Sequence, residues 1–86
     1  MMNVEARPQS FAYARGEEVL AHLARAQVYH IQGGGRLSEA CRPSWTIGKV
    51  IGTRGGGRQP RYLLAFQHDG SDCMCWVREG AIEGVC

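Results

Sequence analysis

The chain lacks any apolar run near the about 20 residues that a bilayer-spanning helix requires. Its first ten residues also lack the apolar core of an export signal, since Glu5, Arg7 and Pro8 keep Met1–Ser10 polar. A cytoplasmic location with no membrane partner is therefore expected. There is no internal repeat and, apart from two triple-glycine runs, no low-complexity tract, which excludes solenoids and repeat arrays. Its glycine-rich loop is not followed by Gly-Lys-Ser/Thr, so it is not a P-loop. The cysteines form no Cys-x-x-Cys pair, so the usual zinc-ribbon spacing is missing. With 86 residues there is room for one domain near the lower end of what a single core stabilises unaided. A net charge of only +2 argues against a dedicated nucleic-acid packer, though not against a local basic surface.

What is present is glycine, twelve of them, and a succession of short β-type runs separated by turn residues. Trp45–Thr53 is one run and Arg61–Gln67 the next. His68–Ser71 reads as a tight Asp-Gly turn, Cys73–Arg78 as the following strand, and Glu79–Gly84 as a short turn and final strand. In the second run Tyr62, Leu64 and Phe66 share one face. In the third, Met74, Trp76 and Arg78 oppose Cys73, Cys75 and Val77. Both faces of this hairpin are fairly apolar, so one packs on a core and the other is partly covered by the N-terminal arm or by another subunit. Gly48 and Gly52 flank Val50 at positions where a strand can bulge or bend. This punctuation is that of a small, strongly bent antiparallel barrel.

Residues 17–32 are ambiguous. Ala, Leu, Glu, Arg and Gln favour helix, with acids at the start and Gly33–Gly35 to end it. The alternation of Val19, Ala21 and Leu23 favours a strand, and a strand over 17–23 is the reading adopted. A helix or an extra hairpin is left for the stretch from Ala24 to Ser44. Residues 1–14 read as a flexible N-terminal arm whose end, with Phe11 and Tyr13, docks on the core, and residues 15–86 as the barrel domain.

Four cysteines, Cys41, Cys73, Cys75 and Cys86, are even in number, but without an export signal reduced thiols are expected. A bridge from Cys41 to Cys73 or Cys75 is the alternative, as is zinc held by Cys73 and Cys75 with Cys41, Cys86 or His68. Buried thiols acting as small hydrophobes account for the same residues without a metal, and no cofactor is expected. The three histidines are widely separated, and His68 beside Asp69 is accounted for as a turn, so no catalytic group is assigned.

Binding chemistry concentrates elsewhere. Residues 49–61 hold Lys49, Arg54, Arg58 and Arg61 and no acid, whereas residues 62–86 hold four acids against Arg78. The arginines can pair with phosphates, and glycines let backbone N–H groups approach an anion. Trp45, Tyr62 and Trp76 lie close by in sequence or register and can stack bases. A solvated hairpin loop and an ordinary aromatic core are the plainer accounts of the same residues. Phe66 is assigned to the core, and Tyr62, adjoining the basic loop, is expected to be partly exposed.

The elements Gly16–Val19, Trp45-x-x-Gly48-x-Val50, Arg61-Tyr62-x-x-x-Phe66, Asp69-Gly70 and Trp76-Val77-x-Glu79-x-x-Ile82 resemble those of an SH3-like barrel over residues 16–83. That resemblance implies a mainly β fold, a five-stranded antiparallel barrel with a 3₁₀ turn near Gly80–Glu83 and one added helix or hairpin after the first strand. The layout is also similar to that of type II dihydrofolate reductases and of small proteins carried on mobile gene cassettes. In those reductases a Val-Gln-Ile-Tyr run lines a pore shared by four subunits; the comparable Met74–Val77 has neither Gln nor Tyr, so the likeness implies fold and not folate chemistry. The expected function is non-enzymatic binding of nucleic acid or a protein segment through Trp45, Arg54, Arg58, Arg61, Tyr62 and Trp76. The alternatives are a homo-oligomer with a small-molecule pocket at its interface, and an adaptor acting only through a protein partner.

Overall fold

A computed structural model describes residues 11–55 and 59–86, which form one antiparallel sheet of six strands. In chain order these are β1 (Glu18–His22), β2 (Val28–His30), β3 (Trp45–Arg54), β4 (Arg61–His68), β5 (Ser71–Arg78) and β6 (Ile82–Val85). The spatial order is β2-β5-β4-β3-β1-β6. Two 3₁₀ turns, Glu39–Cys41 and Glu79–Ala81, complete the regular structure, and there is no α-helix among the described residues. Correspondingly, among the described residues no helix is long and apolar enough to cross a membrane. The first ten residues of the expected arm lie outside the described residues.

The ambiguous segment is extended, as its alternation implies. β1 lies between β3 and β6, so both of its backbone edges are hydrogen-bonded, and Val19 and Ala21 are buried with Leu23 just beyond. Two ladders outweigh the helix propensity of Ala, Leu and Glu, which spans only tenths of a kcal/mol per residue, about 0 to 0.7. Of the two elements left open after β1, the strand form is found. β2 pairs with β5, and Tyr29 bridges Arg36 across a turn in which Gly33 and Gly34 have positive φ. The sheet therefore has six strands where five were expected.

Two local devices set the registers. Asp69 and Gly70 have φ of 52° and 79°, the left-handed pair of a two-residue hairpin turn whose twist matches that of the flanking strands. That turn places His68 opposite Ser71 and, counting outward, Arg61 opposite Arg78. In β3 the register shifts between Val50 and Gly52, so Ile51 is an extra residue with no partner in β4. Its carbonyl accepts the Arg15 guanidinium at 3.1 Å instead.

The connection from β5 to β6 forces the sheet to coil. Between them in the sheet lie β4, β3 and β1, so a flat sheet would hold β5 and β6 about 19 Å apart, four strand spacings. Arg78 and Ile82 are joined by only the turn Glu79–Ala81, whose reach at a 3₁₀ rise is about 8 Å. The sheet can meet both conditions only by curling round on itself. The edge strands β2 and β6 are not hydrogen-bonded to each other, so the coil stops short of closing. Gly48 sits at the bend: a Cβ there would lie 3.2 Å from Leu64 Cβ and 3.3 Å from the Ala65 carbonyl oxygen. A side chain at this position would keep β3 and β4 from approaching.

The concave face carries the core: Val19, Ala21, Leu23, Val28, Val50, Tyr62, Leu64, Phe66, Cys73, Cys75, Val77 and Ile82. Phe66 is buried as expected, and Phe11 and Tyr13 pack against the core from the end of the arm, with their rings edge-on to Tyr62. All four cysteines are free thiols; Cys73 and Cys75 are buried, Cys41 and Cys86 exposed. Burial pushes the Cys75 thiol up to about 12 and raises that of Cys73 in the same direction.

Gly48→Val should lower stability by about 1–3 kcal/mol through overpacking, whereas Gly52→Ala, where a Cβ meets Leu63 at an ordinary 3.6 Å, should change it by less than about 0.5; urea unfolding distinguishes them. Disulfide-exchange titration of the native protein should find Cys41 and Cys86 reacting fast and Cys73 and Cys75 only on unfolding. Because the unfolded thiols ionise near 8.5 and the folded ones higher, the unfolded chain gives up protons that the native state keeps. Stability should be full below about pH 8.5 and fall as pH rises toward 12, and replacing both buried cysteines with Ala should flatten that slope.

Candidate anion and base-stacking site

Opposed residues on neighbouring antiparallel strands point to the same face. Arg54 pairs with Arg61, and Arg61 pairs with Arg78, so three exposed arginines form a single row across β3, β4 and β5 on the convex face. With strands about 4.8 Å apart, the row spans about 10 Å. Beside it runs a second row, Gly52, Leu63 and Trp76. Gly52 carries no side chain, so the face is open on that side, and the Arg54 guanidinium reaches across to lie 5.3 Å from the Trp76 ring centroid. Like charges set directly opposite one another destabilise a sheet. Among the described residues no carboxylate forms an ion pair with any of the three; the pairs found are Arg42 with Glu39 and His68 with Asp69.

The acid nearest in sequence is engaged elsewhere. Glu79 follows Arg78, but its carboxylate accepts a hydrogen bond of 2.5 Å from the Tyr62 hydroxyl, which in turn accepts one of 2.9 Å from the Ala12 backbone N–H. Tyr62 is fully buried, which corrects the expectation that it would be partly exposed. The reason is parity: Tyr62 opposes Val77 and Thr53 on the concave face, so its ring enters the core while Arg61 beside it faces out. Its ring supports the arm, and its hydroxyl engages the Glu79 carboxylate. Burial, reinforced by the Glu79 hydrogen bond, raises the Tyr62 hydroxyl to about 12.

The row ends in a cleft of about 630 Å³, lined by Arg61, Trp76 and Arg78 on one side and by His22 and Arg25 on the other. The coil of the sheet creates this juxtaposition. His22 opposes Trp45 at the start of β3 and Arg61 opposes Arg54 at its end, nine residues away and about 30 Å on a flat sheet. Because Ala21 pairs with Ile82, the end of β1 lies against the turn that follows Arg78. None of the residues lining the cleft is acidic. Arg42, whose side chain is largely buried, holds the far wall: its guanidinium donates to the Ala26 carbonyl at 2.6 Å and to the Ala24 carbonyl at 2.8 Å, on either side of Arg25.

Of the residues singled out in the sequence, Arg54, Arg61 and Trp76 come together. Trp45 is 43% exposed and stacks on His22 with ring centroids 3.6 Å apart, which sets it at the outer edge of the cleft. Arg58, and the glycines Gly56 and Gly57 before it, lie outside the described residues. Arg78, Arg25, His22 and Arg42 were missed. The Asp-Gly turn, through its register, points to Arg78 from sequence alone; the other three have no local signal. The cysteine and histidine set expected as the zinc alternative forms no group of metal-ligand geometry among the described residues. Family models, curated proteins and solved structures give no match to this chain.

Tyr62→Phe should remove about 1 kcal/mol of stability in urea unfolding, because it deletes one buried hydrogen bond to a carboxylate and strips the Ala12 N–H of its acceptor. It should also remove the part of the alkaline stability loss that sets in above about pH 10, where the unfolded tyrosine ionises before the folded one.

Proposed function

We propose that the protein is a non-enzymatic binding module of SH3-like architecture that takes single-stranded nucleic acid on the convex face of its sheet. The row Arg54–Arg61–Arg78 carries this reading. Three guanidinium groups in register on adjacent strands repel one another in the free protein, and an anion laid along them relieves that repulsion with charge-assisted, bidentate hydrogen bonds. Breaches of local stability rules of this kind concentrate at functional sites. Trp76 beside the row supplies a π-face on which any base can stack, and Trp45 a second one across His22. Phosphate pairing by the arginines and stacking on Trp76 are open to a strand of any sequence, so the proposed binding is sequence-tolerant. The SH3-like assignment is supported by the strand order β6-β1-β3-β4-β5 with a 3₁₀ turn before β6, to which β2 is an added edge strand.

One observation favours a second reading, self-association. Ile47 is 56% exposed on the same convex face, opposite the half-buried Leu20, and a second copy covering that patch would bury it.

Fluorescence anisotropy with a short labelled oligonucleotide, titrated at several salt concentrations, tests both. Three phosphate contacts give a slope of about −2 in log K against log salt, and Arg61→Ala or Arg78→Ala should each reduce its size by about 0.7. Trp76→Ala should weaken binding by about 1–3 kcal/mol with the slope unchanged. Light scattering on the same samples reports mass. Salt-independent binding, or a stable dimer indifferent to oligonucleotide, would overturn the nucleic-acid reading, and the dimer would support the second.

A further inference from the structure

We infer that the cleft at the end of the arginine row is a subsite for a terminal phosphate, so that the protein prefers nucleic-acid strands with a phosphorylated end. This rests on the proposed nucleic-acid reading and adds a preference that the flat row alone does not confer.

The row and the cleft differ in charge and shape. Along the row each arginine meets one internal phosphodiester, which carries a single negative charge. A terminal phosphomonoester carries about −1.5 to −2 charges at neutral pH and has three strongly accepting oxygens. The cleft offers that group several donors: Arg25, Arg61 and Arg78 line one concave space together with His22, and no acid lines it. Apart from Val77 and Trp76, its remaining lining is small, Ala24, Ala26, Gly80 and Ala81, which leaves room for a tetrahedral anion close to the backbone. Trp76 lines the same cleft, so a base stacked on its ring has its own phosphate within reach of the arginines.

The second observation is that the far wall is held in place. Arg25 is exposed and lies in the turn after β1, where an unsupported arginine would be mobile. Arg42 grips the carbonyls of both its neighbours, and the Leu23 N–H bonds the Ser44 carbonyl at 2.8 Å. The segment from Glu39 to Ser44 thereby straps this turn against the rest of the fold. A guanidinium presented from a fixed backbone loses less entropy on meeting its anion. Arg42 is thus a positioning residue: it holds the Arg25 backbone and does not itself line the cleft.

The test compares three oligonucleotides of one sequence, labelled internally: hydroxyl at both ends, phosphorylated at the 5′ end, and phosphorylated at the 3′ end. One phosphorylated form should bind about tenfold more tightly than the hydroxyl form, the worth of one added charge-assisted hydrogen bond. Arg25→Ala should abolish that preference, so that all three strands bind with one affinity, whatever the affinity for the hydroxyl form becomes. A thermal melt of the variant verifies that it is folded. Equal affinity for all three strands would overturn the subsite and leave the proposed surface standing. Absence of binding to any of them would overturn both. A preference that survives in Arg25→Ala would also overturn the inference, because the far wall would then take no part.

Discussion

The short turn from β5 to β6 is the constraint on which the rest of the molecule depends. A link of three residues has to join strands that the hydrogen-bonding order sets four spacings apart, and only a coiled sheet satisfies both. Coiling needs relief on the concave side, where strands crowd, and slack on the convex side. Gly48 provides the first by bringing no Cβ to its contact with Leu64, and the extra residue Ile51 provides the second. The concave face becomes narrow enough for twelve mostly small or mid-sized side chains to fill it. The two tryptophans lie on the convex face, where they stay partly exposed.

The same coil assembles the cationic surface. β1 ends against the β5–β6 turn, so residues that a flat sheet would separate widely line one cleft. Charge here is organised by exclusion as much as by attraction. The chain has nearly as many acids as bases, 8 against 10, yet the convex row and the cleft contain no ion-paired arginine among the described residues. Glu79 is the acid best placed to neutralise Arg78, and the buried Tyr62 hydroxyl holds it. A tyrosine that looked from its neighbours like a stacking residue is instead a buried core residue whose hydroxyl engages the acid next to Arg78.

Arg42 shows the converse. It stands in an irregular stretch between Gly33 and Trp45 that carries no periodicity, and nothing local distinguishes it from a solvated surface arginine. In the fold it is mostly buried and makes two hydrogen bonds to carbonyls that no strand partner reaches. Turn 24–26 lies just past the end of β1, and its carbonyls need donors from outside the sheet. The guanidinium fork is the side chain best shaped to supply two at once.

Alternation, turn chemistry and glycine placement were enough to read β1, β3, β4, β5 and the final strand, the face on which Phe66, Cys73 and Cys75 lie, and the bend around Val50. These are short-range properties: a period of two residues, an Asp-Gly pair that fixes a register, and a glycine where backbones approach. Arg61 was singled out for its charge and Trp76 for its ring; the ladders of β3, β4 and β5 set these two on one face and Tyr62, singled out with them, on the other. What the tertiary structure alone decided is which distant segments meet. That β2 adds to β5 as a strand, that Tyr62 turns its hydroxyl to Glu79, and that His22 and Arg25 face Arg61 and Arg78 across a cleft all depend on the closing angle of the coil. That angle is set by the whole sheet at once, because it sums small twists over every strand and no single residue encodes it.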